Sequence, residues 1–170
     1  DKIFVIEADE YDTAFDDKRS KFIHYMPSML IITNLEFDHA DIFPDLDAIE
    51  HQFHHLVRTL PRDALIIRRW PDPAIDRVLD MGCWSRVMTF GKDELAEWKL
   101  ALTHRQDWLK IVSPDGVPTL AITKLLGEHN AWNTVAAVAA ASEVGVKPKP
   151  SLAALSTFKN VKRRLELRVI

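Results

Sequence analysis

The chain has 170 residues, 47% of them apolar, and a formal net charge of −3. This length predicts one domain that is large enough to bury a hydrophobic core. The weak net charge gives no reason to expect nucleic acid or a membrane surface as a partner, and the lone Cys83, which excludes an internal disulfide, is compatible with a reducing cytoplasm.

The first half of the chain alternates apolar runs with helical patterns. Four apolar runs predict buried strands, at residues 2–7, 28–33, 64–67 and 86–90. Asp45 or Asp47 is expected to cap a helix that reaches about residue 60 and is ended by Pro61. A second, short helix is predicted over 71–79. Strands that alternate with helices indicate a parallel sheet.

The second half has a different pattern, with short apolar segments separated by turns and then two helices. Three short strands are predicted, at residues 99–103, 108–112 and 117–122. The Ser113–Gly116 turn makes two of them an antiparallel hairpin. A helix follows over 130–143, another is expected from a Ser151 cap to about residue 158, and a last strand over 165–170. The predicted fold class is α/β, a mostly parallel sheet flanked by helices with a small antiparallel sub-sheet.

The glycine content excludes the usual phosphate-binding loops. The five glycines, at positions 82, 91, 116, 127 and 145, form neither a GxxxxGK[ST] nor a GxGxxG pattern. The chain also opens on one predicted strand and closes on another, whereas natural termini usually lie in exposed loops. We therefore expect a fragment of a longer protein.

Acidic and polar side chains follow the first two predicted strands. Four carboxylates crowd the end of the first strand, at Glu7, Asp9, Glu10 and Asp12. Carboxylates in such a position can hold Mg²⁺, although a solvated acidic turn has the same pattern. Asp38 and His39 follow the second strand, where His39 is either a metal or substrate contact or a plain polar loop residue.

Three histidines lie close together in the first predicted helix. His51, His54 and His55 have the i, i+3, i+4 spacing that brings side chains to one helix face, which raises the possibility of a zinc site. However, the HExxH pattern is absent, and Phe53 and Leu56 take the core side of the helix. We interpret these histidines as part of a solvent-facing surface.

Two further groups suit a nucleotide. Asn130 and Asn133 lie one turn apart at a predicted helix start, where free N–H groups favour anions or the edge of a nucleotide, although for one Asn alone simple capping is the better explanation. The basic cluster Lys162–Arg164 can clamp phosphate through bidentate bonds or can line a solvated rim.

The order and spacing of these motifs resemble the central ATP-binding domain of the Mur ligases, the ATP-dependent amide-forming enzymes of bacterial peptidoglycan metabolism. The resemblance covers residues 3–170. It rests on four segments, Glu7–Asp12, Asp17–Phe22, Asn34–Asp41 and Phe158–Glu166, together with the Gly127–Asn130 motif.

The resemblance implies roles for individual residues. Glu7 would bind the catalytic Mg²⁺, and His39, beside Asp38, would hold a second Mg²⁺. Asn130 would contact the adenine of ATP, with His129 and Asn133 as its motif neighbours. Arg164 would lie near the transferred phosphate and act in catalysis with His39. We expect Glu7, Asp38, His39, Asn130 and Arg164 to converge on one cleft at the carboxyl ends of the strands.

The resemblance also implies the function. The full-length bacterial, cytoplasmic enzyme would join the tripeptide L-alanyl-γ-D-glutamyl-meso-diaminopimelate to UDP-N-acetylmuramate in peptidoglycan recycling, using ATP and Mg²⁺. Residues 1–170 would be a partial central domain without the P-loop, the N-terminal UDP-binding domain or the C-terminal domain, and inactive by itself. The alternatives are the alanine-adding branch of the same family and a non-catalytic α/β interaction module.

Overall fold

A computed structural model of the protein describes residues 3–8, 20–36, 43–102, 108–122, 125 and 127–158. The chain divides into two compact units. The first unit comprises residues 1–66 and 72–86, and the second comprises 67–71 and 87–170. The predicted last strand, over 165–170, lies outside the described residues and stays a prediction.

The described residues form four α-helices, six strands and two short 3₁₀ helices. The α-helices are α1 (Leu46–Val57), α2 (Pro73–Asp80), α3 (Glu128–Glu143) and α4 (Pro148–Ala154). The strands are β1 (Met29–Ile32), β2 (Leu65–Trp70), β3 (Arg86–Gly91), β4 (Trp98–Leu102), β5 (Trp108–Val112) and β6 (Pro118–Ile122). The 3₁₀ helices span Lys21–His24 and Leu155–Thr157.

The six strands are hydrogen-bonded in chain order. β1, β2 and β3 alternate with α1 and α2, the long connections that parallel neighbours require. β3 is parallel to β4, whereas β4–β5 and β5–β6 are antiparallel. The predicted fold class is therefore confirmed, and the antiparallel strands continue the same sheet. None of the helices in the described residues has the length and hydropathy that a bilayer crossing needs.

The core of the first unit forms where α1 and α2 bury their apolar faces. Asp45 caps α1 by accepting a hydrogen bond from the Ala48 N–H at 2.9 Å, which confirms one of the two predicted caps. The largest side chains of this core are aromatic or branched, among them Phe22, Ile32, Ile49, Leu56, Ile66 and Ile75. Most of them were expected from the helical and strand periodicities of the sequence.

The second unit has its own core. In the predicted hairpin turn, the Gly116 N–H donates to the Ser113 carbonyl at 2.8 Å. α3 packs against β4 and α4, and α4 packs against β6. Alanine, the best helix former, allows α3 to approach its neighbours closely, with Ala136 and Ala139 both buried. Gly145 follows α3 with φ of 91°, a conformation that glycine adopts without strain.

Two expectations from the sequence are wrong. Residues 3–8 contain no strand, and Phe4 and Val5 are 84% and 86% exposed. A strand needs a hydrogen-bonded neighbour, and within the described part of the chain these residues have none.

The second error concerns the last helix. α4 begins at Pro148, and the Ser151 hydroxyl lies inside it, donating to the Lys147 carbonyl at 3.0 Å. Proline has no N–H and a fixed φ, so it suits the first position of a helix better than an interior one. The helix that was expected to reach about 158 ends at Ala154 and is followed by a 3₁₀ turn.

Candidate functional site

The structure describes four of the predicted site residues. Glu7 lies in the first unit, on the irregular segment 3–8, with an exposed side chain. His129, Asn130 and Asn133 lie in the second unit, in the first two turns of α3. Asp38, His39 and Arg164 fall outside the described residues, as does the whole Lys162–Arg164 cluster. The expected convergence of these residues on one cleft thus stays a prediction.

The start of α3 is the part of the predicted site that the structure describes in detail. The helix begins two residues earlier than expected, with Gly127 at the N-cap and Glu128 as its first residue. Gly127 has φ of 95°, which favours glycine over residues with a side chain. Asn130 is therefore the third helical residue rather than the cap, and its carbonyl accepts a hydrogen bond from the Thr134 hydroxyl at 2.8 Å.

This position suits the recognition of a nucleotide. The first N–H groups of a helix have no partners within the helix, and they carry a partial positive charge. The Asn130 side chain is half-buried and that of Asn133 is exposed, and both carry an amide with donor and acceptor groups. An asparagine amide can pair with the N6 and N7 edge of adenine in bidentate fashion.

A cluster of charged and aromatic groups surrounds the first helical residue. The Lys92 ammonium lies 2.5 Å from Oε1 of Glu128, and the Trp132 indole N–H donates to the same oxygen at 3.3 Å. The hydrogen bond from Lys92 lowers the pKa of the Glu128 carboxyl below its usual value. Two cations contact the Trp132 ring, with Arg69 Cζ at 5.2 Å and Lys92 Nζ at 5.4 Å from its centroid.

Lys92, Glu128 and Trp132 were not among the site residues that the sequence predicted. Glu128 lies within the Gly127–Asn130 motif, and Trp132 is four residues further along the same helix. The i, i+4 spacing of Glu128 and Trp132 was a sufficient reason to pair them. Lys92 is distant in sequence and follows the end of β3, so only the folded chain brings it to Glu128.

The first unit contains an ion pair between α1 and α2 in which only the carboxylate is buried. The Arg77 guanidinium contacts both carboxylate oxygens of Glu50, with its Nη2 at 2.5 Å from Oε1 and its Nε at 3.0 Å from Oε2. The Glu50 side chain is 2% exposed, whereas that of Arg77 is 52% exposed. The hydrogen bond to Glu50 raises the pKa of Arg77 above its usual value. This pair joins the two helices.

The histidines of α1 are not equivalent. His51 and His55 are exposed, as interpreted from the sequence, but His54 is half-buried. Burial and the nearby Arg58 lower the pKa of His54 below its usual value. Within the described ranges, no three His, Cys, Asp or Glu side chains are placed to hold a metal ion.

A shallow cavity of about 320 Å³ lies beside α1 in the same unit. Its lining comprises Ile23, Gln52, His55, Arg58 and Thr59. None of these residues belongs to the motifs that the sequence assigns to nucleotide or metal binding.

Comparison with known proteins identifies the family. A family model described as the Mur ligase middle domain matches residues 1–141. The chain is 50% identical over 167 residues to the UDP-N-acetylmuramate--L-alanyl-gamma-D-glutamyl-meso-2,6-diaminoheptandioate ligase of Escherichia coli (strain K12). That match covers 97% of this chain and 36% of the relative, so the chain spans about a third of its length.

Two further matches define the similarity. The chain is 31% identical to the UDP-N-acetylmuramate--L-alanine ligase of Renibacterium salmoninarum, over 98% of this chain and 35% of that protein. Among solved structures, it matches the UDP-N-acetylmuramate:L-alanyl-gamma-D-glutamyl-meso-diaminopimelate ligase from Neisseria meningitides with a TM-score of 0.85 and 46% identity. This superposition covers 94% of this chain and 49% of the solved one.

Proposed function

This chain belongs to the Mur ligase family, and we propose that it supplies the ATP-binding middle part of an enzyme that joins L-alanyl-γ-D-glutamyl-meso-diaminopimelate to UDP-N-acetylmuramate. The observation that carries the substrate assignment is the 50% identity to a ligase of that name, against 31% to an alanine ligase. The middle domain would work together with further domains of the full-length protein. ATP and UDP-sugars are cytoplasmic metabolites, so the reaction would take place in the bacterial cytoplasm.

The proposed reaction has two steps. First, an oxygen of the muramate carboxylate attacks the γ-phosphorus of ATP, ADP leaves, and an acyl phosphate forms. The amine of the tripeptide then attacks the acyl carbon, phosphate leaves, and the amine loses a proton as the amide forms. Both steps depend on the alignment of two substrates and on neutralisation of phosphate charge.

We assign the nucleotide to the first two turns of α3. Asn130 would pair with the adenine edge, with Asn133 and His129 beside it. This assignment is supported by the half-buried or exposed side chains of all three residues at a helix start. Arg164 would contact the transferred phosphate, where a planar guanidinium binds two oxygens at once.

The metal assignment uses Glu7 and His39. Glu7 presents an exposed carboxylate, the ligand type that Mg²⁺ takes in proteins. His39 lies outside the described residues, and its role follows from the family resemblance. When bound there, Mg²⁺ would neutralise charge on the phosphates of ATP.

Two alternatives are kept as outcomes of the test. The alanine-adding branch of the family would take L-alanine in place of the tripeptide. A non-catalytic α/β module would bind neither substrate, and the absence of a GxxxxGK[ST] pattern from these 170 residues is compatible with it.

The decisive experiment uses the full-length protein. It is incubated with UDP-N-acetylmuramate, MgATP and either the tripeptide or L-alanine, and both the amide product and ADP are quantified. We expect the tripeptide to be the preferred amine and Glu7→Gln to lower turnover strongly. Product with L-alanine in place of the tripeptide would assign the chain to the other branch, and no product with either amine would favour the interaction module.

The same assay tests whether the 170-residue chain is active without the rest of the full-length protein. We expect the 170-residue chain to form no amide and to hydrolyse ATP negligibly, since positioning of the reactants contributes on the order of 7–11 kcal/mol to such catalysis. ATP turnover by the 170-residue chain that Glu7→Ala abolishes would contradict this expectation.

A further inference from the structure

The side of α3 that lies away from Asn130 and Asn133 contacts other residues of the second unit. Glu128 and Trp132 lie on the same side of the helix, about 40° apart around its axis at 3.6 residues per turn. Asn130 and Asn133 are about 200° and 140° from Glu128 by the same measure, so they project from the other side. One side of the helix start thus contacts other residues of the second unit, and the other side carries the side chains that we propose bind the nucleotide.

The contacting side of the helix start is attached to the ends of two strands of the second unit. Oε1 of Glu128 receives both the Lys92 ammonium, at 2.5 Å, and the Trp132 indole N–H, at 3.3 Å. Trp132 is 6% exposed and also contacts Arg69 of β2 through its ring. The carboxylate therefore links the first helical residue to the residue that follows β3.

The backbone just before Lys92 is closely packed. Lys92 follows Gly91, the last residue of β3, where the backbone passes directly over the Trp70 carbonyl. A Cβ at position 91 would collide with that oxygen, so the approach requires glycine. The end of β3 thereby lies close against the end of β2, and Lys92 is the next residue along the chain.

The helix start needs such an attachment. Its N-cap is Gly127, which has no side chain to accept a hydrogen bond from the first N–H groups. An acidic residue in the first turn complements the helix dipole, and here that residue is also tied to a cation on another element. Helix ends fray readily unless they are tethered.

We propose that Lys92, Glu128 and Trp132 form a clamp that positions the first turn of α3, so that Asn130 meets the adenine of ATP in the correct geometry. None of the three would touch the nucleotide; each acts through the helix. This inference rests on the proposed function, because it takes the adenine contact of Asn130 as given.

The test measures base discrimination by the full-length protein. The dissociation constants of ATP and ITP are determined by calorimetric titration in the presence of Mg²⁺, independently of any ligation. ITP replaces the 6-amino donor of adenine with a carbonyl, so an asparagine that pairs with the adenine edge prefers ATP by roughly tenfold, the worth of one hydrogen bond.

The variants separate the clamp from general effects. We expect Asn130→Ala to abolish the preference for ATP, and Lys92→Met to reduce it to about threefold or less, a loss in the range of one exposed ion pair. Trp132→Phe keeps the ring and loses the indole donor, so it should give a smaller reduction. Lys92→Arg restores the charge and should restore the preference. Lys99→Met is the matched control, because Lys99 pairs with Glu94 at 2.7 Å rather than with Glu128.

The outcomes are distinguishable. If the preference for ATP over ITP falls in Asn130→Ala and stays unchanged in both Lys92→Met and Trp132→Phe, the clamp is overturned and the adenine contact remains. An equal fall in Lys99→Met would also overturn the clamp, since surface charge would then explain the effect. A preference that survives Asn130→Ala would reject both the adenine contact and the clamp, whereas the ligation assay judges the proposed function separately.

Discussion

Glu50 and Glu128 each meet a cation at 2.5 Å, one pair in each unit, but their surroundings differ. The Glu50 side chain is 2% exposed between α1 and α2, while that of Glu128 is 59% exposed at the start of α3. A buried carboxylate has lost its water and depends on its partner, whereas an exposed one is solvated with or without it. Although the two distances are equal, the difference in burial indicates different roles for the two pairs. The pair in the first unit contributes to helix packing, and the pair in the second unit orients a helix end.

The largest difference is expected when each cation is removed. Arg77→Met leaves the buried Glu50 carboxylate without its partner, which should clearly lower the free energy of unfolding, because a buried carboxylate that loses its partner keeps its desolvation cost. Lys92→Met should leave the stability nearly unchanged. Urea unfolding followed by circular dichroism measures both, with the exposed Arg62→Met as control. Equal losses in the two variants would mean that burial does not separate the pairs.

Replacing the glycines on either side of α3 tests whether the position of its first turn matters for ATP binding. Gly127 and Gly145 flank the helix with φ of 95° and 91°. Alanine at either position should cost about 1–3 kcal/mol, the penalty of holding a residue with a side chain at positive φ. We expect Gly127→Ala to weaken ATP binding by the full-length protein as well, and Gly145→Ala to leave it unchanged. Similar ATP affinities in both variants would show that the position of the first turn is unimportant.

The two units should also respond to acid in different pH ranges. The pKa of His54 is lowered by burial, so the unfolded chain binds its proton more readily than the folded one. Its contribution to stability is complete above the unfolded pKa of about 6.5 and is lost as the pH falls below it. The Glu128 carboxyl, whose pKa is also lowered, contributes above its unfolded value of about 4.3 and loses that contribution at lower pH.

Urea midpoints between pH 7.5 and 5 measure the histidine effect. His54→Gln should flatten the decline in this range, and His51→Gln, at an exposed position of the same helix, should not. A wild-type profile that is flat from pH 7.5 to 5 would contradict the burial of His54.

The smallest effect concerns ionic strength. Attraction between exposed charges is screened within about 8–10 Å at physiological salt, while buried pairs are screened much less. Any stability lost in Lys92→Met relative to wild type should therefore vanish in 1 M NaCl, whereas the loss in Arg77→Met should persist. A Lys92→Met deficit that is unchanged at high salt would place that pair in the same class as Glu50–Arg77.

Much of the local structure follows directly from the sequence. Asp45 at the start of α1, the Ser113–Gly116 turn and the glycine after α3 all act as the sequence predicts, because caps and turns depend on residues a few positions apart. The predictions failed where a neighbour decides the outcome. The apolar run 3–6 is not a strand, because periodicity cannot supply the hydrogen-bonding partner that a strand requires.

The candidate site shows the same division. The Gly127–Asn130 motif locates a helix start and its amide side chains from sequence, since the motif is contiguous. The tertiary structure decides that Lys92, 36 positions away from Glu128, supplies the cation, and that Arg77, 27 positions from Glu50, neutralises a buried carboxylate. Local chemistry is encoded in short stretches of chain, whereas the pairing of charges depends on which strand and helix ends the fold brings within a few ångströms of each other.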